Sequence, residues 1–228
     1  AGGLGTRLGS LALTTPKAMV EVAGEPFIAH QLRLLKLSGV KHIVLCTGHL
    51  GEEIENFVQS GAEFGLTVDY SHDGGVRLGT GGSIKAALKA FPEVTTLAVT
   101  YGDSYLDLDL YQVHEAFRSS QKEALMTVFH NCNRFGTSNV RFANGQVLHY
   151  EKGNSNLEYI DYGFSFLRRE SFDLQANEAF DLSLLWQSLI SRNQLAGYEV
   201  YQRFFEIGTA EGLAETEGAI LAKSRAGQ

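Results

Sequence analysis

The chain has 228 residues, 44% of them apolar and 20% charged, enough to bury a substantial core, and a single α/β domain spanning residues 1–228 is expected. No apolar run approaches the roughly 18 residues of a membrane span, so a soluble protein without a membrane partner is expected. The net charge of −7 and pI near 5.5 exclude broad nucleic-acid binding, which needs a basic face to displace counterions, but leave small anionic substrates open because a few cations suffice locally.

Strand-length apolar segments alternate with amphipathic helix-length segments, which predicts a Rossmann-like mixed sheet, mainly parallel and flanked by helices. In chain order, Phe27 to Leu37 reads as a helix with Ile28, Leu32, Leu34 and Leu35 inward and Gly39 closing it. Ile43 to Cys46 follows as a strand, Ile54 to Val58 lies on a helix, and Leu66 to Tyr70 is a second strand. Ser83 to Leu88 begins a third helix, and Thr96 to Thr100 is a third strand that ends at Tyr101-Gly102-Asp103. The pattern then turns mixed or antiparallel: a helix over Leu110 to Arg118 precedes strands at Ala124–Phe129, Asn139–Phe142, Val147–Tyr150 and Tyr159–Leu167. A helix over Leu182 to Ile190, a short strand Phe204 to Ile207 and a helix from Glu211 to Ala222 complete it, with neither a repeat nor a linker.

The chain opens on Gly2-Gly3-Leu4-Gly5-Thr6-Arg7-Leu8, a glycine-rich turn with a cation at its end. Without side chains, glycines let backbone N–H groups approach a phosphate chain. The stretch is neither a Walker A loop, which needs Gly-Lys-Ser/Thr, nor a dinucleotide fingerprint, because Leu8 stands where the last glycine belongs. By itself it reads equally well as a tight turn with a surface arginine. Pro16-Lys17-Ala18-Met19-Val20 then places a second cation on a proline-stiffened segment, and Gly24-Glu25-Pro26 follows.

Together these motifs resemble the signature of the sugar-phosphate nucleotidyltransferase family: a Gly-Gly-x-Gly-Thr-Arg-Leu loop, then Pro-Lys, then a Gly-x-Pro turn. The resemblance covers nearly the whole chain and implies the family's fold, with its first strand expected just before Ala1, where upstream residues are expected to be missing. It divides the chain into a nucleotide-binding half, residues 1–120, and an acceptor-binding half, residues 121–228. It implies that Gly2, Gly3, Gly5 and Thr6 cradle the triphosphate, with Arg7 and Lys17 as the catalytic cations. Leu78-Gly79-Thr80-Gly81-Gly82, before a predicted helix, offers free N–H groups and a helix dipole. Family members use this loop to line base and ribose, and its form is most similar to the heptose and mannose 1-phosphate guanylyltransferase-like branch; an ordinary helix start is the plainer alternative.

Asp103 ends an apolar strand at the carboxyl edge where open α/β sheets place ligands. Mg²⁺ binds through one or two carboxylates plus substrate phosphates, so a carboxylate here suits it, a turn-capping role being the alternative. The resemblance makes Asp103 the metal-binding aspartate. Phe204-Phe205-Glu206-Ile207-Gly208-Thr209 resembles the family's Asp-Ile-Gly-Thr with glutamate replacing aspartate, so Glu206 is assigned as the second carboxylate, bound directly, through water or to a displaced ion. Glu151-Lys152 matches the family's Glu-Lys and implies contact with the acceptor and its phosphate, with Lys152 on the phosphate, although an exposed strand-end charge pair is common. Tyr159-Ile160-Asp161-Tyr162-Gly163 stands where the family has Asn-Ala-Gly, so Asp161 is a candidate for a sugar hydroxyl pair.

Cys46 and Cys132 lie outside any metal-ligand spacing and nothing resembles a secretory signal, so reduced thiols in a cytoplasmic protein are expected. The histidines form no close ligand pair and the serines no nucleophile elbow. The expected reaction is transfer of a nucleotidyl group from a nucleoside triphosphate to a sugar 1-phosphate with Mg²⁺, releasing pyrophosphate, in the service of surface polysaccharide synthesis. The alternatives are a non-sugar phosphate acceptor and an inactive nucleotide-sugar-sensing module; homo-oligomerisation is left open.

Overall fold

The computed structural model describes residues 15–226. The expected single domain packs as two compact units, each discontinuous in sequence. Of the described residues, the first holds 15–77, 101–107 and 204–226, and the second 78–100 and 108–203.

In the first unit, strands β1 (Glu21–Val22) and β2 (Glu25–Pro26) form a tight antiparallel ribbon around Gly24, whose φ of 87° explains the glycine of the Gly-Glu-Pro turn. Pro26 leads into α1 (Phe27–Leu37). The helix stops in a Schellman arrangement: Gly39, at φ 87°, donates its N–H to the Lys36 carbonyl, and Val40 donates to that of Leu35. Helix α1 buries two faces. Ile28 and Leu32 pack with Ile54, Val58, Leu66 and Val68, whereas Phe27 and Leu34 pack with Val22, Tyr105, Ile207 and Ile220. The first cluster joins α1 to α2 (Gly51–Val58) and to the parallel pair β3 (His42–Thr47) and β4 (Thr67–His72). The second joins it to the antiparallel pair β6 (Ser104–Tyr105) and β12 (Phe205–Glu206) and to α6 (Ala210–Ala226).

The second unit is built on six strands in the order β5 (Thr96–Thr100), β10 (Tyr159–Arg168), β7 (Ala124–His130), β11 (Leu195–Val200), β9 (Gln146–Tyr150) and β8 (Val140–Ala143). A further pairing of Tyr159 with Val140 returns β8 to β10, closing five of these strands into a small barrel. The central strand β7 is buried along nearly its whole length, as its apolar run requires, and its one buried hydroxyl, Thr127, donates to the Phe164 carbonyl. Helices α3 (Gly79–Ala90), α4 (Leu110–Ser120) and α5 (Leu182–Ser191) complete the unit.

The expectation of a mainly parallel sheet is corrected. Only β3–β4 and β7–β11 pair in parallel among the described residues, and every other pairing is antiparallel. Where antiparallel partners follow each other in the chain, a short connection forces that direction, since a parallel return needs a crossover of a dozen residues or more. The clearest case is Asn144-Gly145, both at positive φ, a two-residue hairpin turn between β8 and β9. Strand β11 escapes the sequence pattern because Ala196-Gly197 is poor in β-propensity. Its Gly197 is required because a Cβ there would stand 2.5 Å from the Phe142 ring. The strand expected before Ala1 lies outside the described residues, and among those no helix is long and apolar enough to cross a membrane.

Candidate active site

Gly2, Gly3, Gly5, Thr6 and Arg7, the expected phosphate loop and its catalytic cation, lie outside the described residues. The other predicted groups fall on both units.

In the first unit, Lys17 sits on a single 3₁₀ turn, Lys17–Met19, entered from Pro16 at φ −58°. Its Nζ lies 3.2 Å from Asp103 Oδ2, and both side chains are largely covered, at 20% and 33% exposure. Asp103 occupies the turn before β6. Its carbonyl accepts the Ile207 N–H at 3.0 Å, so the β6–β12 ladder, with Glu206 opposite Ser104, brings the second predicted carboxylate alongside the first. Gly208 gives an independent measure of the convergence: a Cβ placed on it would stand 3.8 Å from Glu206 Oε1 and 3.9 Å from Lys17 Nζ. Lys17, Asp103 and Glu206 thus share one corner of the first unit, although 86 residues separate the first two in sequence.

The Glu206 backbone is fixed from behind. Thr216 Oγ1, which donates to the Gly212 carbonyl at 2.6 Å, lies 3.3 Å from the Glu206 carbonyl, and a Cβ on Gly212 would clash with that same Glu206 carbonyl, so α6 seats directly against it. Thr209 caps α6 by accepting the Gly212 N–H at 3.0 Å, which accounts for the threonine of the Glu206-Ile207-Gly208-Thr209 segment.

Two carboxylates beside a lysine meet the donor requirement of a hard dication whose remaining ligands are substrate phosphates. Among the described residues no three acidic, histidine or cysteine side chains are grouped so as to hold a metal without such help.

In the second unit, the glycine-rich segment is not a loop ahead of a helix but the first turn of α3 itself, which starts at Gly79. Its glycines answer to packing within the chain. The carbonyl of Phe180 accepts the N–H groups of both Gly81 and Gly82, at 3.0 and 3.1 Å, and any Cβ on Gly81 would enter the Phe180 ring. Gly79 takes φ 72° with the Phe180 carbonyl where its Cβ would lie. Two of the N–H groups expected to face a ligand are therefore already used; Gly79 and Thr80 are the exposed members of the segment.

Phe180 and Asp181, which the motif search passed over, organise this face. Asp181 Oδ1 accepts the Ser183 N–H at 2.9 Å as the N-cap of α5, and the same oxygen pairs with Lys152 Nζ at 2.9 Å. Thr80 Oγ1 accepts the next N–H, that of Leu182, at 2.9 Å. Lys152 and Thr80, 72 residues apart in number, thus meet on one two-residue segment. Burial raises the Asp181 carboxyl, but the Ser183 and Lys152 hydrogen bonds outweigh it and hold the group below the usual aspartate range. An aspartate directly before an apolar helical run is an N-cap signature and would have flagged Asp181.

Asp161 lies in β10 at an irregularity in its pairing with β7, where Gly163 at φ 101° donates its N–H to Asp161 Oδ1 at 3.0 Å. Bulges of this kind re-aim side chains. Burial first, then the negative charges of Asp161 and Asp181, push the hydroxyl of buried Tyr150 far above its usual range. Glu151 bonds to its own turn, taking Asn154 Nδ2 at 2.8 Å and pairing with His149 at 3.1 Å.

A family model for the MobA-like NTP transferase domain matches residues 1–159 of this chain. The chain belongs to the MobA-like NTP transferase family. Glucose-1-phosphate cytidylyltransferase of Salmonella typhimurium is 29% identical over 200 residues, covering 78% of this chain and 77% of that protein. D-glycero-alpha-D-manno-heptose 1-phosphate guanylyltransferase of Campylobacter jejuni is 28% identical over 212 residues, covering 92% and 93%. The crystal structure of HddC from Yersinia pseudotuberculosis matches with a TM-score of 0.81 at 25% identity over 96% of each chain. As an α/β fold with mixed sheets, this NTP transferase agrees with its structural neighbours in architecture.

Proposed function

We propose that this MobA-like NTP transferase joins a sugar 1-phosphate to a nucleoside triphosphate, releasing pyrophosphate and leaving a nucleotide-activated sugar for surface polysaccharide synthesis. The observation that carries this is the meeting of Lys17, Asp103 and Glu206 at one corner: a cation and two oxygen donors in a triphosphate-binding family. The relatives, which by name transfer cytidylyl and guanylyl groups to sugar 1-phosphates, support the reaction class.

An oxygen of the acceptor phosphate attacks the α-phosphorus, the bond from that phosphorus to the bridging oxygen breaks, and pyrophosphate departs opposite the attack. Little protein bond chemistry is needed, so rate comes from alignment and preorganised charge. Lys17 stabilises negative charge at the α-phosphate, and Arg7 holds the departing pyrophosphate. Lys152 takes the acceptor phosphate, leaving Asp181 to do so, while Asp161 orients acceptor hydroxyls beside Tyr150. Gly79 and Thr80 line the base and ribose. Asp103 and Glu206 would hold Mg²⁺, which when bound supplies charge neutralisation and a template for the triphosphate.

The test is pyrophosphate release by full-length protein in Mg²⁺, across GTP, CTP, UTP, ATP and dTTP against hexose, heptose and non-sugar phosphates. One productive pair with a sugar 1-phosphate establishes the reaction and names both substrates. Release only with non-sugar phosphates moves the acceptor class, and nucleotide binding with no release anywhere identifies a sensing module.

A further inference from the structure

Asp103 projects from a turn whose own hydrogen bond is poor: the Ser104 N–H reaches the Tyr101 carbonyl only at 3.5 Å, the outer limit for such a bond. What fixes the turn comes from outside it. Gln31, on α1, donates from its single amide nitrogen to two carbonyls at once, Tyr101 O at 3.0 Å and Ser104 O at 2.7 Å. Both partners are obligate acceptors and an amide NH₂ carries two protons, so the orientation of the Gln31 amide is unambiguous and both protons are committed. With Ile207 N–H on the Asp103 carbonyl at 3.0 Å, the carbonyls at 101, 103 and 104 are all held. Helix α1 is itself clamped between the two apolar clusters of the first unit, so Gln31 presents its donors from a rigid base.

We propose that Gln31 is a positioning residue for the carboxylate of Asp103, setting its affinity for the divalent cation without touching substrate. This rests on the reading of Asp103 as a metal ligand. Groups that orient a ligand carboxylate act on metal affinity because the ligand atom must lie within a few tenths of an ångström of its coordinating position, and losing such a partner costs about tenfold to hundredfold. A glutamine in an amphipathic helix carries no sequence signal for this task.

The experiment titrates Mn²⁺ against the full chain with inorganic triphosphate present, reading free Mn²⁺ by electron paramagnetic resonance, so no turnover is needed. Gln31→Met, which keeps the length but has no donor, is expected to weaken Mn²⁺ binding about tenfold or more, with circular dichroism unchanged. In an Asp103→Asn background, Gln31→Met is expected to add no further loss. Native Mn²⁺ binding in folded Gln31→Met, or an equal loss in the Asp103→Asn background, would each overturn the inference. If Asp103→Asn alone leaves Mn²⁺ binding unchanged, the metal reading beneath it fails instead.

Discussion

Replacing Lys17 by methionine removes the cation from the Asp103–Glu206 corner while keeping an apolar stem of similar length. At 3.2 Å and an effective dielectric of about 20, the gross attraction between Lys17 and Asp103 is about 5 kcal/mol. Desolvating both ions and ordering a long side chain offset most of that, so the fold should lose only about 1 kcal/mol. For a chain of this size that is a fall of about 2–4 °C in melting temperature. The effect on turnover should be far larger. A preorganised charge aimed at charge developing in the transition state contributes a factor of about 10²–10³, because the protein holds it in place before the reaction begins. Pyrophosphate release at saturating Mg²⁺ and triphosphate measures turnover, and differential scanning calorimetry measures the melting temperature. A folded Lys17→Met protein that turns over within about fivefold of native would refute the role and leave Lys17 as a structural partner of Asp103.

Gly81→Ala should destabilise the protein by about 1–3 kcal/mol, since the new methyl enters the Phe180 ring; combining it with Phe180→Leu should cost less than the sum of the two changes, as read from denaturant midpoints. Asp181→Asn should keep the α5 cap, because asparagine caps as well as aspartate, while freeing Lys152. The acceptor KM should then fall about two- to fivefold with the triphosphate KM unchanged, the range an exposed ion pair gives; a raised acceptor KM would show that Asp181 aids binding rather than competing. The hydrogen bonds from Arg33 to Glu25 hold the Glu25 carboxyl below its ordinary 4.5. A carboxyl depressed in the folded state stabilises above its unfolded value and loses that contribution as pH falls through the folded one. Native protein should therefore melt slightly above Glu25→Gln at pH 7, and the gap should narrow as pH falls below the ordinary 4.5; a gap that widens in acid would contradict this sign.

How far the sequence reaches differs from element to element. Helix α1 and strand β5 lie where periodicity places them, because a helix with a continuous apolar face and a bounded β-branched run are local signals. The motifs around Lys17, Asp103 and Glu206 could be picked out through their resemblance to a family signature, and the structure brings these three residues to one corner. Strand β11 was not, since its Gly197 is dictated by Phe142, 55 positions away. Likewise Gly81 and Gly82 follow a ligand-loop pattern in sequence, yet their N–H groups go to Phe180. Only the tertiary structure could bring Gln31 beneath the Asp103 turn or Asp181 onto Lys152, because those contacts join residues whose partners lie 70 or more and 29 positions away and leave no periodic trace. Local propensity and reaction chemistry are written residue by residue; the hydrogen bonds that aim the reactive groups depend on which chain segments the packed core brings together.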